Sequence, residues 1–140
     1  MPMTPKEKLM ERVKALLKER GQKALEISKQ SILQEQIKYE PLREALRYFM
    51  EEVWADVLHP ALLSLSCEAV GGDPAKTTHV GAAMVLLAGA ADIHDDIIDQ
   101  STIKEAKLTV FGKFGKDIAI LVGDALLFKG LYMLREACKS

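Results

Sequence analysis

Twelve consecutive residues, Val80 to Ala91 (VGAAMVLLAGAA), carry no charged or strongly polar side chain. A membrane span needs about 20 such residues, so this run belongs to a protein interior. Asp73-Pro74 upstream has the cap-plus-proline form of a helix start. The helix it opens is expected to run to about Asp99 and to be apolar on every side until its end. A helix of that kind lies at the centre of a bundle. It ends in DIHDDIIDQS, which sets Asp92, Asp95, Asp96 and Asp99 within eight positions of the greasy run.

The other segments also read as helices. Thr4-Pro5-Lys6-Glu7 is a capping box with proline at the first helical position. Leu9, Val13, Leu16, Leu17, Ala24 and Leu25 then keep a helical spacing, and Gly21 is expected to kink or split the segment. A second helix is expected from about Glu40 to Trp54, broken at His59-Pro60. ALLSLSCEAV forms a third, stopped by Gly71-Gly72. STIKEAKLTVFGKFGK reads as one long connection, with Gly112 and Gly115 punctuating the turn before a last helix from about Asp117. No segment alternates as a strand does. The fold class is all-α, a bundle of about five helices.

Composition narrows the function. The 140 residues form one domain, 1–140. The net charge of −1 gives no electrostatic footprint for nucleic acid or an anionic membrane, and 6% aromatic residues make a poor base-stacking platform. Cys67 and Cys138 lie far apart with no paired-cysteine motif, as in a reducing cytoplasmic compartment. The charged start has no secretory character. The chain is expected to be soluble and not membrane-spanning.

The four aspartates are in mutual conflict. At about 100° per residue, Asp95 and Asp99 stand one turn apart on one face, flanked by Asp92 and Asp96. Like charges at this spacing repel, and a helix C-terminus disfavours anions. A bound divalent cation removes the conflict. Hard carboxylate ligands suit Mg2+, which completes its shell with water and phosphate. The alternative is a solvated helix end. His94 reads as a supporting or packing residue, and His79 as structural. Asp124, in the apolar stretch VGDALL, is expected to face a polar partner on the aspartate helix or a lysine.

HDDIIDQS resembles the first aspartate-rich motif of the trans-type isoprenyl diphosphate synthases, the polyprenyl synthetase family. PALLSLSCEAVGG and FGKFGKDIAILVGDALL resemble the blocks that flank that motif, in the same order, and the match runs from about Asp56 to Leu127. The resemblance implies the N-terminal half of an isoprenoid-synthase bundle. It further implies a prenyltransferase that ionises an allylic diphosphate and condenses it head to tail with isopentenyl diphosphate. Asp95, Asp96 and Asp99 are then catalytic, with Asp95 and Asp99 as Mg2+ ligands. Lys104, Lys107 and His59 stand where the family contacts substrate. Ala90 and Ala91, just before the motif, would line the tunnel for the growing tail. Small residues there imply a product longer than the farnesyl size.

The chain departs from the family in three places. Trp54 to Pro60 replaces a basic Gly-Gly-Lys-Arg-Leu-Arg-Pro segment, putting Asp56, Val57 and His59 where cations are usual, and Ala88 replaces a histidine. Lys104-Glu105-Ala106 replaces Arg-Arg-Gly. The family's second aspartate-rich motif lies beyond Ser140. Two functions follow: a half or subunit of a trans-prenyltransferase, or a non-catalytic partner or diverged binding protein of the same fold. A half-bundle leaves apolar surface uncovered, so a homo- or hetero-oligomer is expected.

Overall fold

The computed structural model describes residues 3–139; Met1, Pro2 and Ser140, which bound the expected domain, lie outside the described residues. The elements are α1 (Pro5–Leu33), α2 (Glu40–Tyr48), α3 (Leu58–Ala69), α4 (Thr78–Ile98), β1 (Ile103–Lys104), β2 (Lys107–Leu108), α5 (Val110–Phe114) and α6 (Lys116–Ala137). The all-α expectation holds, with six α-helices among the described residues instead of about five.

The capping box forms as expected. Thr4 Oγ1 accepts from the Glu7 amide and the Glu7 carboxylate accepts from the Thr4 amide at 2.7 Å. Gly21, however, neither kinks nor splits α1, which is continuous over 29 residues. A Cβ at Gly21 would lie 2.3 Å from the Val57 carbonyl oxygen, so this glycine lets the chain before α3 press against α1. α2 continues as a π-helical turn, Phe49–Val53. The break comes at Trp54–Val57, ahead of the expected His59-Pro60. Asp56 Oδ1 accepts from the amides of Leu58 and His59, which caps α3 and draws Pro60 into its first turn. Asp73 Oδ1 accepts from the Ala75 amide at 3.0 Å and opens a 3-10 turn, Pro74–Thr77, that feeds α4.

α4 is central, in contact with α1, α3, α5 and α6, and packs most extensively on α6. The main core joins Leu46, Phe49 and Met50 of the second helical segment to Leu86, Ala90 and Ile93 of α4 and Val122 and Leu126 of α6. Each large side chain buried here contributes roughly 1.5–3 kcal/mol of transfer free energy. Trp54 stacks on Phe49 with ring centroids 5.4 Å apart and donates from Nε1 to the Val85 carbonyl of α4 at 3.1 Å. No helix among the described residues is long and apolar enough to cross a membrane.

The connection read as irregular contains a small hairpin, so the absence of strands was a misreading. Ile103 pairs with Leu108 and Lys104 with Lys107. Glu105 and Ala106 form its two-residue turn at φ 50° and 63°, a left-handed conformation usually given to asparagine and glycine. That missing composition hid the hairpin. Gly115 does punctuate the turn, at φ 82°. Gly112 has another purpose: a Cβ there would lie 2.2 Å from the Thr102 carbonyl oxygen.

Candidate functional site

The last turn of α4 divides the four aspartates into two pairs. Asp92 and Asp96 turn toward the hairpin, where Lys104 Nζ lies 2.6 Å from Asp92 Oδ1 and 2.9 Å from Asp96 Oδ1. Asp96 is buried, at 5% exposure. Burial raises its pKa against the opposing pull of the Lys104 hydrogen bond, and the Asp92 charge adds to the rise. The same hydrogen bonds, led by that to Asp92, raise the Lys104 pKa and keep it a cation. Asp95 and Asp99 are exposed, and no hydrogen bond or ion pair engages either carboxylate among the described residues.

Backbone geometry sets this division. The Asp99 amide donates to the Asp95 carbonyl and the Ser101 amide to the Asp96 carbonyl, each at 2.8 Å, closing α4. Gln100, at φ 54°, then reverses the chain into the hairpin. Thr109 Oγ1 donates to the Ser101 carbonyl at 2.7 Å and accepts from the Gly112 amide at 2.9 Å. The hairpin is thus fastened at its base, and Lys104 reaches back to α4 from the end of β1.

His94 turns the other way, toward α6. Its Nε2 lies 3.3 Å from Asp124 Oδ1, which gives Asp124 the polar partner expected of it. A Cβ at Gly123 would meet that Nε2 at 2.5 Å, so the glycine admits the imidazole ring.

On the open side of α4, Met84, Ala88 and Ala91 precede Asp95 at three- and four-residue spacing, and all are at least partly exposed. The two alanines expected to line a tunnel separate here. Ala91 is exposed on this row, whereas Ala90 is 1% exposed and sits in the core.

Two further expected substrate-binding residues have other partners. His59 Nδ1 lies 2.8 Å from Asp56 Oδ2. Lys107 Nζ donates to the Glu52 carbonyl and ties β2 to the π-helical turn. Sequence reasoning missed Asp56 as the α3 cap, although an aspartate two residues before an apolar helical run is a start signal. It also missed Lys104 as the counter-ion of Asp92 and Asp96. That contact depends on the hairpin, and no local pattern announces it.

Among the described residues, no group of three or more His, Cys, Asp or Glu is gathered to hold a metal ion. A closed zinc site has no ligand set here. Two free, exposed carboxylates one turn apart do fit Mg2+, which takes one or two protein carboxylates and leaves the rest of its shell to water and phosphate oxygens.

Comparison with known proteins agrees with this architecture. The chain is 37% identical over 83 residues to a geranylgeranyl diphosphate synthase of Sulfolobus acidocaldarius, covering 59% of this chain and 25% of that protein. It is 43% identical over 72 residues to a short chain isoprenyl diphosphate synthase of Methanothermobacter thermautotrophicus, covering 51% and 22%. The chain therefore spans about a quarter of the length of the curated relatives it matches. The solved geranylgeranyl pyrophosphate synthetase of Pyrococcus horikoshii superposes with a TM-score of 0.77 at 30% identity, over 89% of this chain and 37% of that one. The family model described as Polyprenyl synthetase matches residues 40–140. On that match, together with the order of the helices around the aspartates, the chain belongs to the polyprenyl synthetase family.

Proposed function

We propose that this chain is a half or subunit of a cytoplasmic trans-prenyltransferase that binds Mg2+ and an allylic diphosphate for head-to-tail condensation with isopentenyl diphosphate. The observation that carries this reading is the division of the aspartates. Lys104 occupies Asp92 and Asp96, and leaves Asp95 and Asp99 free at the end of the row Met84, Ala88, Ala91.

Asp95 and Asp99 would hold the metal, which when bound supplies Lewis-acid stabilisation to a departing diphosphate. Asp96, named with them as catalytic at the sequence level, acts instead through Lys104 to fix the end of α4. His94 and Asp124 hold the same end against α6. The apolar row ahead of Asp95 offers a hydrocarbon tail a surface that excludes water, as a carbocation requires. The exposed α6 residues Leu121, Phe128, Leu131 and Tyr132 support assembly with a second unit, either another copy or a different subunit.

The test supplies labelled isopentenyl diphosphate and several allylic primers to the chain, alone and with candidate partner subunits. Product is expected in at least one combination, and Asp95→Ala with Asp99→Ala is expected to abolish it. No product in any combination would sink the catalytic claim. Thermal denaturation with Mg2+ and inorganic diphosphate gives a second readout: stabilisation of the wild type and none of the double variant.

One observation favours a second reading, a non-catalytic partner of the same fold. Lys104 is tied to Asp92 and Asp96, and Lys107 to a backbone carbonyl, so neither has its ammonium free for a diphosphate. Turnover that survives loss of Asp95 and Asp99 in a reconstituted complex would establish this reading over the first.

A further inference from the structure

We infer that Gly123 and Asp124 of α6 are positioning residues for metal binding, acting through His94 to set where Asp95 and Asp99 stand. This role rests on the metal reading of Asp95 and Asp99 proposed above, and extends it to a helix that supplies no ligand.

α6 carries two notches for α4. A Cβ at Gly123 would lie 2.5 Å from His94 Nε2, and a Cβ at Gly130 would lie 2.8 Å from Leu87 Cγ. The two glycines are seven residues apart on α6, and the two side chains they admit are seven apart on α4, in the opposite order. Seven residues are close to two helical turns, so each pair falls on one face of its helix. A single inserted side chain would leave α4 free to pivot. Two fix its height and its rotation against α6, because close-packed neighbours leave no slack to absorb a shift. The lower of the two, His94, is the residue before Asp95.

Rotation is what matters at this end. At about 100° per residue, Asp95 and Asp99 follow His94 around the helix by about 100° and 140°, while Asp92 and Asp96 fall nearly opposite it. The free carboxylates are therefore bracketed. Lys104 holds one side through Asp92 and Asp96, and Asp124 holds the other through His94, with Nε2 3.3 Å from Oδ1. The bond from the Asp99 amide to the Asp95 carbonyl, at 2.8 Å, makes the last turn move as one piece. A turn of α4 is thus passed directly to both carboxylates. Mg2+ demands near-ideal octahedral geometry, so it is sensitive to such a displacement. The His94 and Asp124 side chains are 35% and 48% exposed. A contact so open to water contributes little to overall stability, and its loss is felt in orientation instead.

The test measures the affinity of the whole chain for inorganic diphosphate in the presence of Mg2+ by calorimetry, beside the melting temperature of each variant without ligand. Asp124→Leu keeps the bulk and loses the acceptor. Gly123→Ala displaces the imidazole without removing a polar group. Each is expected to weaken binding by on the order of tenfold, as loss of a residue that orients a metal ligand does. Asp124→Asn keeps an oxygen that can accept from the Nε2 proton and is expected to bind nearly as the wild type does. The melting temperature of Asp124→Leu should stay close to that of the wild type, since the site is half exposed. Wild-type affinity in either Asp124→Leu or Gly123→Ala overturns the positioning role. So does a loss in Asp124→Asn as large as that in Asp124→Leu, since the charge of Asp124 would then be what counts. A wild type with no affinity for diphosphate and Mg2+ overturns the metal reading itself, and the positioning role falls with it.

Discussion

The ammonium of Lys104 stands 2.9 Å from the Asp96 carboxylate and anchors the hairpin to the closing turn of α4. One cation also serves Asp92, at 2.6 Å, so the aspartate-rich segment carries part of its own neutralisation.

Lys104→Met leaves the buried Asp96 without a cation. The expected loss of stability is about 1–3 kcal/mol, the cost of a buried polar group stripped of its partner. It should appear as a lower urea midpoint with an unchanged slope. Asp96→Asn in the same background should recover part of the loss, because the two groups interact directly.

Gly21→Ala distinguishes two accounts of the first helix by the sign of its effect. If the glycine only interrupts a helix, alanine stabilises by about 1 kcal/mol through propensity. The approach of Val57 predicts the reverse. The obstacle is backbone, which cannot swing aside, and the expected destabilisation is about 1–3 kcal/mol. Chemical denaturation of the two proteins decides.

Ala90→Phe and Ala91→Phe should differ although the positions are adjacent. At Ala90 the ring enters a filled core and costs about 1–3 kcal/mol or more. At Ala91 stability should stay within about 0.5 kcal/mol of wild type. In a working synthase only Ala91→Phe should then shorten the product while the protein stays folded, as read by chromatography of the dephosphorylated chains. Product length unchanged by Ala91→Phe would remove the row Met84, Ala88, Ala91 from the tunnel.

The start of α1 should respond to acid. Hydrogen bonds from the Thr4 backbone, then from its side chain, lower the Glu7 pKa. A lowered folded-state pKa gives a contribution that is present above the ordinary glutamate value and lost as pH falls through the folded value. Below pH of about 4 the first turn is therefore expected to fray. Amide hydrogen exchange at Glu7 should accelerate there more than at Ala24 or Leu25, and equal acceleration would contradict it.

The helices were legible because their signals are local. Capping at Thr4 and Asp73, proline at Pro5 and Pro74, and the apolar run of α4 each act within a turn or two. The acidic end of α4 was legible for the same reason. What escaped depended on contacts between distant segments. Gly21 looks like a helix breaker until Val57 arrives against it. Lys104 reads as a substrate contact until Glu105 and Ala106 adopt left-handed conformations that turn it back to Asp92 and Asp96. Ala90 and Ala91 are chemically identical, and only the rotation of α4 within the bundle sends one to the core and the other to the open side.

The Trp54–Phe49 stack has an optical consequence. Trp54 is the sole tryptophan of the chain, and its indole N–H is held by a carbonyl of the helix that ends in the aspartates. Red-edge excitation isolates it from the three tyrosines, so its emission comes from one indole at the contact between α4 and the segment following α2. Anything that draws the aspartate helix outward, or settles it more firmly, changes the polarity around that indole. The chain thus carries an intrinsic fluorophore for following, without labelling, how the acidic end of α4 responds to titration with a cation or diphosphate.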